Sequence, residues 1–558
     1  MRKSIRESRR YVVLSSRAPA HFVEAKLRPK RPSHRARARV TVVLRPRVPE
    51  ARRRALIEQL SGQFPRARRR LRPKELEVFC AADAGAVRRI RSFAREHGLK
   101  VVVASAARRS VTLEGTLAAL GRAFQVDFVE YDHHTGRYRS HKQSAQVPAE
   151  LEAVVEGVLG LDTRSTPEHH LHFLAQPTQP GTDPRKASKR YDFPSGATGT
   201  GQTVAIIELG GGFHPGDLQQ YFRELGLPLP KVSVVEIDGQ KNNPTPVAFI
   251  REAVKRRQPP SDKEEKKRFK WTIETTIDIE LAGALASGAH LVVYFAPNTH
   301  RGTFNAFQAA LNDRKHRPSV ISCSWGAAED DWGDENFVKT VMERVFQDAL
   351  LKGVTICFSS GDDGDGAANH GHPCVHFPAS SPYVLGCGGT QWMAVGSNFH
   401  EVVWNETVMG KLLQSTGGAS HVFDPAPAWQ ASAEVPQKTA SRTGRGVPDV
   451  AAKADFATGY KTCVGGLDIP MGGTSSAAPL WAALVARLNQ KLRRPVGYFT
   501  SLLYLHPDRF RKAFYDVTKG NNGNFYRAAP GWDPCTGWGS PNGEELLKVL
   551  SRRGSRRG

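Results

Sequence analysis

Ser475 stands in the run Met471-Gly472-Gly473-Thr474-Ser475-Ser476-Ala477-Ala478-Pro479, where a glycine turn feeds directly into an apolar repeat. Leu480, Leu484 and Leu488 recur on one face with Trp481 and Val485 beside them, the spacing of an amphipathic helix. Ser475 is therefore expected at a helix start, with Thr474 capping the first turn. Pro479 has no N–H to give the Ser475 carbonyl, so that turn should be irregular. A hydroxyl held there, next to backbone N–H groups that the helix does not use, is suited to attack a carbonyl carbon beside an oxyanion site.

Such a hydroxyl needs a base. Glu274 and Asp278 are four residues apart within Trp271–Ala289, whose Ile273, Ile277, Leu281 and Leu285 predict a helix that Gly288 can end. Both acids lie beside the buried stripe, where they would share a proton and titrate apart. Glu274 can then take the Ser475 proton while Asp278 orients Glu274. Carboxylate bases match an acidic medium, so activity should peak below neutrality. Ser359-Ser360-Gly361-Asp362-Asp363-Gly364 ends a predicted strand, where open α/β sheets collect ligands. A protonated Asp362 could donate to the oxyanion. Asp362, Asp363 and Asp365 could alternatively bind a metal, but Pro373 at the twelfth position excludes an EF-hand.

These segments must sit on a sheet. Val204–Leu209, Leu291–Phe295, Val320–Trp325 and Val354–Ser359 are continuous apolar strands alternating with helical stretches, the pattern of a parallel sheet covered on both faces. The charged stretch 240–270 reads as an exposed insertion loop. Ahead of the sheet, strands at 39–44, 100–104, 110–113 and 128–131 alternate with helices near 48–61, 84–97 and 114–124, an α+β, ferredoxin-like sandwich. The expected units are a basic disordered segment 1–38, a small domain 39–162, a linker with a processing site over 163–190, and the large domain 191–558.

The net charge of +25 is concentrated at one end: residues 1–180 hold 36 Lys and Arg against 17 Asp and Glu. Runs such as Arg52-Arg53-Arg54 and Arg68-Arg69-Arg70 lack the interleaved aromatics of a nucleic-acid platform, so they read as solvated charge. Seven cysteines with no CxxC pair give no disulfide framework. Residues 1–20 hold no uninterrupted apolar core of signal-peptide length, and nowhere do eighteen apolar residues follow one another.

Taken in order, Ala205–Gly212, Asp278–Ala284, Ser324-Trp325-Gly326, Ser360-Gly361-Asp362, Gly446–Val450, Gly472–Ser475 and Gly531–Pro534 resemble the sedolisin-type serine-carboxyl peptidases, closest to the kumamolisin-like group. A subtilisin proper would need a His-Gly-Thr segment, and none of the 19 histidines stands in one. The resemblance implies Ser475 as nucleophile, Glu274 as base, Asp278 as its partner and Asp362 as oxyanion aspartate, with Glu208 and Trp325 extending the network. It implies one structural Ca2+ held by Asp516, the Val517, Ala529 and Gly531 carbonyls and Asp533. It further implies a subtilisin-like parallel sheet, and an inhibitory propeptide over 39–162 that is removed autocatalytically. A secreted monomer acting on protein or peptide substrates, with no membrane or nucleic-acid partner, completes the expectation. His376 stands where an acid is often found near the substrate pocket, which sets aside any preference for basic side chains. A basic propeptide can cover an acidic cleft at neutral pH and loosen as carboxylates protonate. The competing reading is an inactive scaffold that binds polyanions through its basic third.

Overall fold

A computed structural model describes residues 10–14, 30–133, 136–165, 168–169, 181–256, 258–395, 398–408, 410–435 and 444–552. Most of the basic segment 1–38 and of the linker lies outside these residues. The part of that segment that is described is ordered: Tyr11–Val13 pairs antiparallel with Gln146–Pro148, and Val12 packs on the small domain's core.

In the N-terminal domain β1 (Arg37–Leu44), α1 (Glu50–Leu60), α2 (Ala84–Glu96), β2 (Lys100–Ser105), β3 (Ser110–Thr116), α3 (Leu117–Phe124) and β4 (Val155–Leu159) follow in sequence. The strands lie in the order β2-β3-β1-β4, every pair antiparallel, which is the ferredoxin-like arrangement. Val40 and Val42 face this domain's own core, while Val43 and Leu159 join a core of the large domain. Alternation along the strands thus glues the two domains.

The large domain is built on an eight-stranded sheet. Its strands are β6 (Thr203–Glu208), β7 (Lys231–Glu236), β8 (His290–Phe295), β9 (Val320–Cys323), β11 (Thr355–Ser359), β13 (Leu385–Val395), β14 (Asn398–Val403) and β15 (Val450–Lys453). The order is β7-β8-β6-β9-β11-β13-β14, with β15 also pairing β13, and only β13–β14 is antiparallel. Val204 and Ile206 enter the core on one face, Ala205 and Ile207 the core on the other. The short strand β10 (Trp325–Ala328) leaves the sheet after β9 and pairs antiparallel with β12 (His376–Phe377) and with β5 (Glu168–His169) from the linker.

Two expectations need correcting. The 240–270 stretch is not a loop: Val247–Arg256 is helical with Ile250 fully buried, and α4 runs from Lys263 to Leu285. Asp262 caps α4 by accepting the Glu265 N–H at 3.0 Å, and acids fill the first turn. The helix Pro184–Arg190, capped by Asp183, places Ala187 in the core, so packing of the large domain starts ahead of residue 191.

Candidate active site

Ser475 lies in a 3₁₀ turn, Thr474–Ser476, that runs into α6 (Ala477–Leu492). Gly473 has φ +97°, and a Cβ at Gly472 would come within 2.5 Å of the Ala454 carbonyl oxygen, so only glycines fit the approach. Thr474 does not cap the turn. Its hydroxyl donates to Asp362 Oδ1 at 2.7 Å and accepts the Gly361 N–H at 3.1 Å, while the Thr474 N–H also donates to Asp362 Oδ1 at 2.9 Å. The nucleophile turn and the loop after β11 are thereby one rigid unit.

Asp362 Oδ2 is buried with no hydrogen-bond partner among the described residues. Burial pushes the Asp362 carboxyl well above its ordinary range, against the lowering effect of the two Thr474 donors. Its neutral form is favoured there, with Oδ2 the oxygen that no donor occupies.

Glu274 and Asp278 sit on the buried stretch of α4, both fully buried. Burial raises the Glu274 carboxyl well above the usual carboxylate range, Asp278 raises it further, and the neighbouring Ser475 hydroxyl opposes the rise. Asp278 is pushed up to about 8, mainly by burial. Its two oxygens each lie 2.9 Å from the Ser324 hydroxyl, which is also 3.4 Å from the Ser475 carbonyl oxygen. Glu208, at the end of β6, accepts the Trp325 indole N–H and the Thr275 hydroxyl at 3.1 Å each. Burial and the Asp278 charge push it up too. Each of the three acids is raised by burial, and the Asp278 charge raises Glu208 and Glu274 further, so their titrations are linked.

All six residues predicted for the catalytic network thus meet between α4, the end of β6, the start of β10, the loop after β11 and the turn before α6. Ser324, Thr275 and Thr474 were not anticipated as partners; a small hydroxyl beside Trp325 or Ser475 was the only sequence signal. The strand β5 pairs with β10 at Trp325–Gly326, so linker main chain runs antiparallel along the edge next to this cluster. His376, on β12, lies 3.2 Å from Asp363 through Nε2.

The predicted calcium ligands lie away from this cluster. Asp516, an exposed acid, accepts the Gly531 N–H at 2.8 Å, and the buried Asp533 accepts the N–H groups of Cys535 and Thr536 at 2.8 and 2.9 Å and faces the Ala529 N–H at 3.5 Å. Burial raises both acids, Asp533 to about 7. Carboxylates and main-chain carbonyls are the oxygen donors a hard cation takes.

The small domain docks through buried charge. On α5 (Glu343–Lys352) of the large domain, Asp348 receives Arg53 at 2.8 Å and Arg109 at 2.9 Å, all three side chains being nearly inaccessible. Arg109 also reaches Glu156 at 3.4 Å, and Glu156 meets Arg344 at 2.7 Å. The buried basic contacts fall on this helix and not on the cleft.

Comparison with known proteins agrees with this geometry. The family described as Pro-kumamolisin, activation domain, matches residues 27–164, and the subtilase family matches 273–513. Kumamolisin from Bacillus sp. (strain MN-32) is 42% identical over 540 residues, covering 92% of each chain. Sedolisin from Pseudomonas sp. (strain 101) is 30% identical over 469 residues, 80% of this chain and 75% of that one. The solved structure of Pseudomonas sedolisin complexed with two molecules of pseudo-iodotyrostatin superposes with a TM-score of 0.55 at 28% identity, covering 67% of this chain and 98% of that one.

Proposed function

The chain belongs to the sedolisin family of serine-carboxyl peptidases, its kumamolisin-like group, with an N-terminal activation domain, and from that premise we propose an acid-active endopeptidase that forms an acyl-enzyme on Ser475 and is made as a self-processing zymogen. The observation that carries the reading is the burial of the Ser475 hydroxyl beside Glu274, with Asp362, whose carboxyl burial pushes up, tied to the neighbouring Thr474.

In the acylation step the Ser475 oxygen attacks the scissile carbonyl carbon and its proton passes to Glu274. The developing oxyanion takes a hydrogen bond from Asp362 Oδ2, whose position Thr474 fixes. Collapse expels the amine, which leaves with the proton from Glu274. Water then repeats the sequence on the ester and frees the acid and the serine. Ser324 holds Asp278, and Trp325 with Thr275 holds Glu208, so the shared protons stay in register behind Glu274.

The β5–β10 pairing supports recognition of substrate main chain as an added antiparallel strand. It also supports the zymogen reading, since the linker occupies that edge. The domain limits follow: propeptide 39–162, processing within 163–190, peptidase after it. Asp516, Val517, Ala529, Gly531 and Asp533 would hold a Ca2+ ion, which would neutralise the buried Asp533 and the exposed Asp516 and tie the segments around 516 and 531 together. Extracellular action is proposed with it; among the described residues no helix is long and apolar enough to cross a membrane.

The test compares the full chain with Ser475→Ala and Glu274→Gln copies after acidification. The parent should shorten to roughly the length of the large domain and digest a denatured protein. Loss of the base should cost about 10²–10⁴ in rate. Equal processing by parent and Ser475→Ala would reject the nucleophile.

A further inference from the structure

Downstream of β10 three segments bring soft and borderline ligands together. Asp330 lies in the turn Glu329–Trp332, His372 and Cys374 in the loop ahead of β12, and His421 after the strand Gly418–Ala419. Ligand atoms of Asp330, Cys374 and His421 lie within 4.8 Å of one another. Asp330 Oδ1 is 3.1 Å from His421 Nε2, and Asp330 Oδ2 is 3.1 Å from His372 Nε2.

His421 Nδ1 lies 3.1 Å from Oε2 of Glu329, an acid with no exposed side-chain surface that also accepts the Ser420 hydroxyl at 2.6 Å and the His421 N–H at 3.0 Å. A carboxylate beside Nδ1, with Nε2 turned towards the other donors, is the arrangement that orients metal-ligating histidines. His372 stays outside this group: its Nε2 meets the other Asp330 oxygen, and its Nδ1 lies 3.1 Å from the Pro373 carbonyl oxygen. Asp330 is exposed and Cys374 buried, so the point has an entrance and a dry floor.

We propose that Asp330, Cys374 and His421, with a water in the fourth position, form a zinc site ahead of β12. One imidazole, one thiolate and one carboxylate match a tetrahedral, borderline-soft ion and do not match calcium. Bonds of about 2.0–2.3 Å set ligand separations of about 3.3–3.7 Å, which donors now within 4.8 Å of one another reach by side-chain shifts. Binding releases the Cys374 thiol proton to solvent. An ion pair between Asp330 and protonated histidines, the simpler account of the same contacts, has no use for the thiol. That is what the test exploits.

The experiment uses the full chain carrying Ser475→Ala, stripped with a chelator and dialysed at neutral pH against Zn2+ in saturating Ca2+, with metal content measured. Co2+ in place of Zn2+ reports the thiolate through a near-ultraviolet sulfur-to-cobalt band. One zinc per chain is expected, bound at least tenfold more weakly by Cys374→Ser and by His421→Ala, and about 10–100-fold more weakly by Glu329→Gln. The cobalt band should vanish in Cys374→Ser and persist in Cys80→Ala. Thermal unfolding in chelator, unchanged from the parent, checks that each variant is folded; His372→Ala, which removes an exposed ring outside the three ligands, should keep the parental zinc affinity. No zinc in the parent, parental zinc affinity in the folded Cys374→Ser and His421→Ala variants, or zinc without the thiolate band would each overturn the proposal.

Discussion

Asp348→Asn should release the propeptide at a higher pH than the parent requires. Among the described residues Asp348 is the acid of the large domain that receives two arginines of the N-terminal domain, Arg53 and Arg109, at 2.8 and 2.9 Å, in a site that excludes water. Asparagine keeps the volume and removes the charge, leaving two guanidinium groups buried with a neutral partner. Breaking a buried pair in this way costs about 3–5 kcal/mol. At about 1.4 kcal/mol per factor of ten, the undocked population rises about 10²–10³-fold or more.

The sign with pH follows from Asp348 itself. Burial alone would push its carboxyl up, but the charges of Arg109, Arg53 and Lys352 together hold it below its usual range. Its contribution to docking is therefore fully present above the undocked carboxylate value of about 3.9, and is lost as the pH falls through the lowered, docked value. Glu156 works in the opposite sense. Burial outweighs Arg109, Arg344 and Arg45 and raises it, so its contribution is present at low pH and is lost as the pH rises through its raised value. In Asp348→Asn the stabilisation that fails in acid is gone at every pH. Self-processing, followed by gel and mass spectrometry between pH 3 and 7, should be faster than in the parent throughout the range above about pH 4, and should vary less steeply with acidification. A folded Asp348→Asn protein with the parental pH–rate profile would refute the clamp.

Asp362→Asn keeps a donor where Oδ2 lies and an acceptor for Thr474, whereas Asp362→Ala removes the donor; the alanine should lose about 10²–10³ in kcat, and the asparagine should retain more activity without the alkaline limb that Asp362 ionisation imposes. Ser324→Ala withdraws the hydroxyl that favours charged Asp278, so the acid limb of kcat/KM should move to higher pH by about one to two pH units for a charge-assisted bond of about 1.5–3 kcal/mol. Chelation of Ca2+ should lower the unfolding temperature, since a ligand at 100 times its Kd contributes about 2.7 kcal/mol; Asp533→Asn should show little further loss on chelation, and an equal loss in both proteins would place the ion elsewhere.

The sheet and the catalytic acids were legible because each is written in a local period. Ile273, Ile277, Leu281 and Leu285 fix one face of α4, which fixes where Glu274 and Asp278 point. The partners were not legible, because Ser324, Thr275 and Thr474 act through contacts between elements far apart in sequence, and a hydroxyl has no period of its own. Composition failed in a similar way at Arg52-Arg53-Arg54. Solvated charge describes Arg52 and Arg54, which are exposed, but Arg53 is fully buried because α1 turns that one position onto α5. The helix at 247–256 was hidden because charges on its outer face swamp the average, while Ile250 and Ala253 alone reach the core.

The raised carboxyls bear on why such a zymogen would be silent. Glu274, Asp278, Glu208 and Asp362 are all pushed up, and burial is the largest cause in every case. A base that keeps its proton cannot accept another, so full burial favours the oxyanion aspartate and disfavours the base. With β5 lying along β10, linker main chain occupies the strand edge at Trp325, beside this network. If its removal admits water on that side, the base pair should titrate lower, while Asp362 remains held behind Thr474 and the glycine at 361, whose Cβ would collide with His376 Nδ1 at 2.6 Å. Maturation by this route would do more than unblock a cleft: it would separate two sets of carboxyls that burial pushes up together. The mature form of Ser324→Ala should then regain activity at higher pH, whereas a mature Asp362→Ala protein should stay slow at every pH, because no titration restores a missing donor.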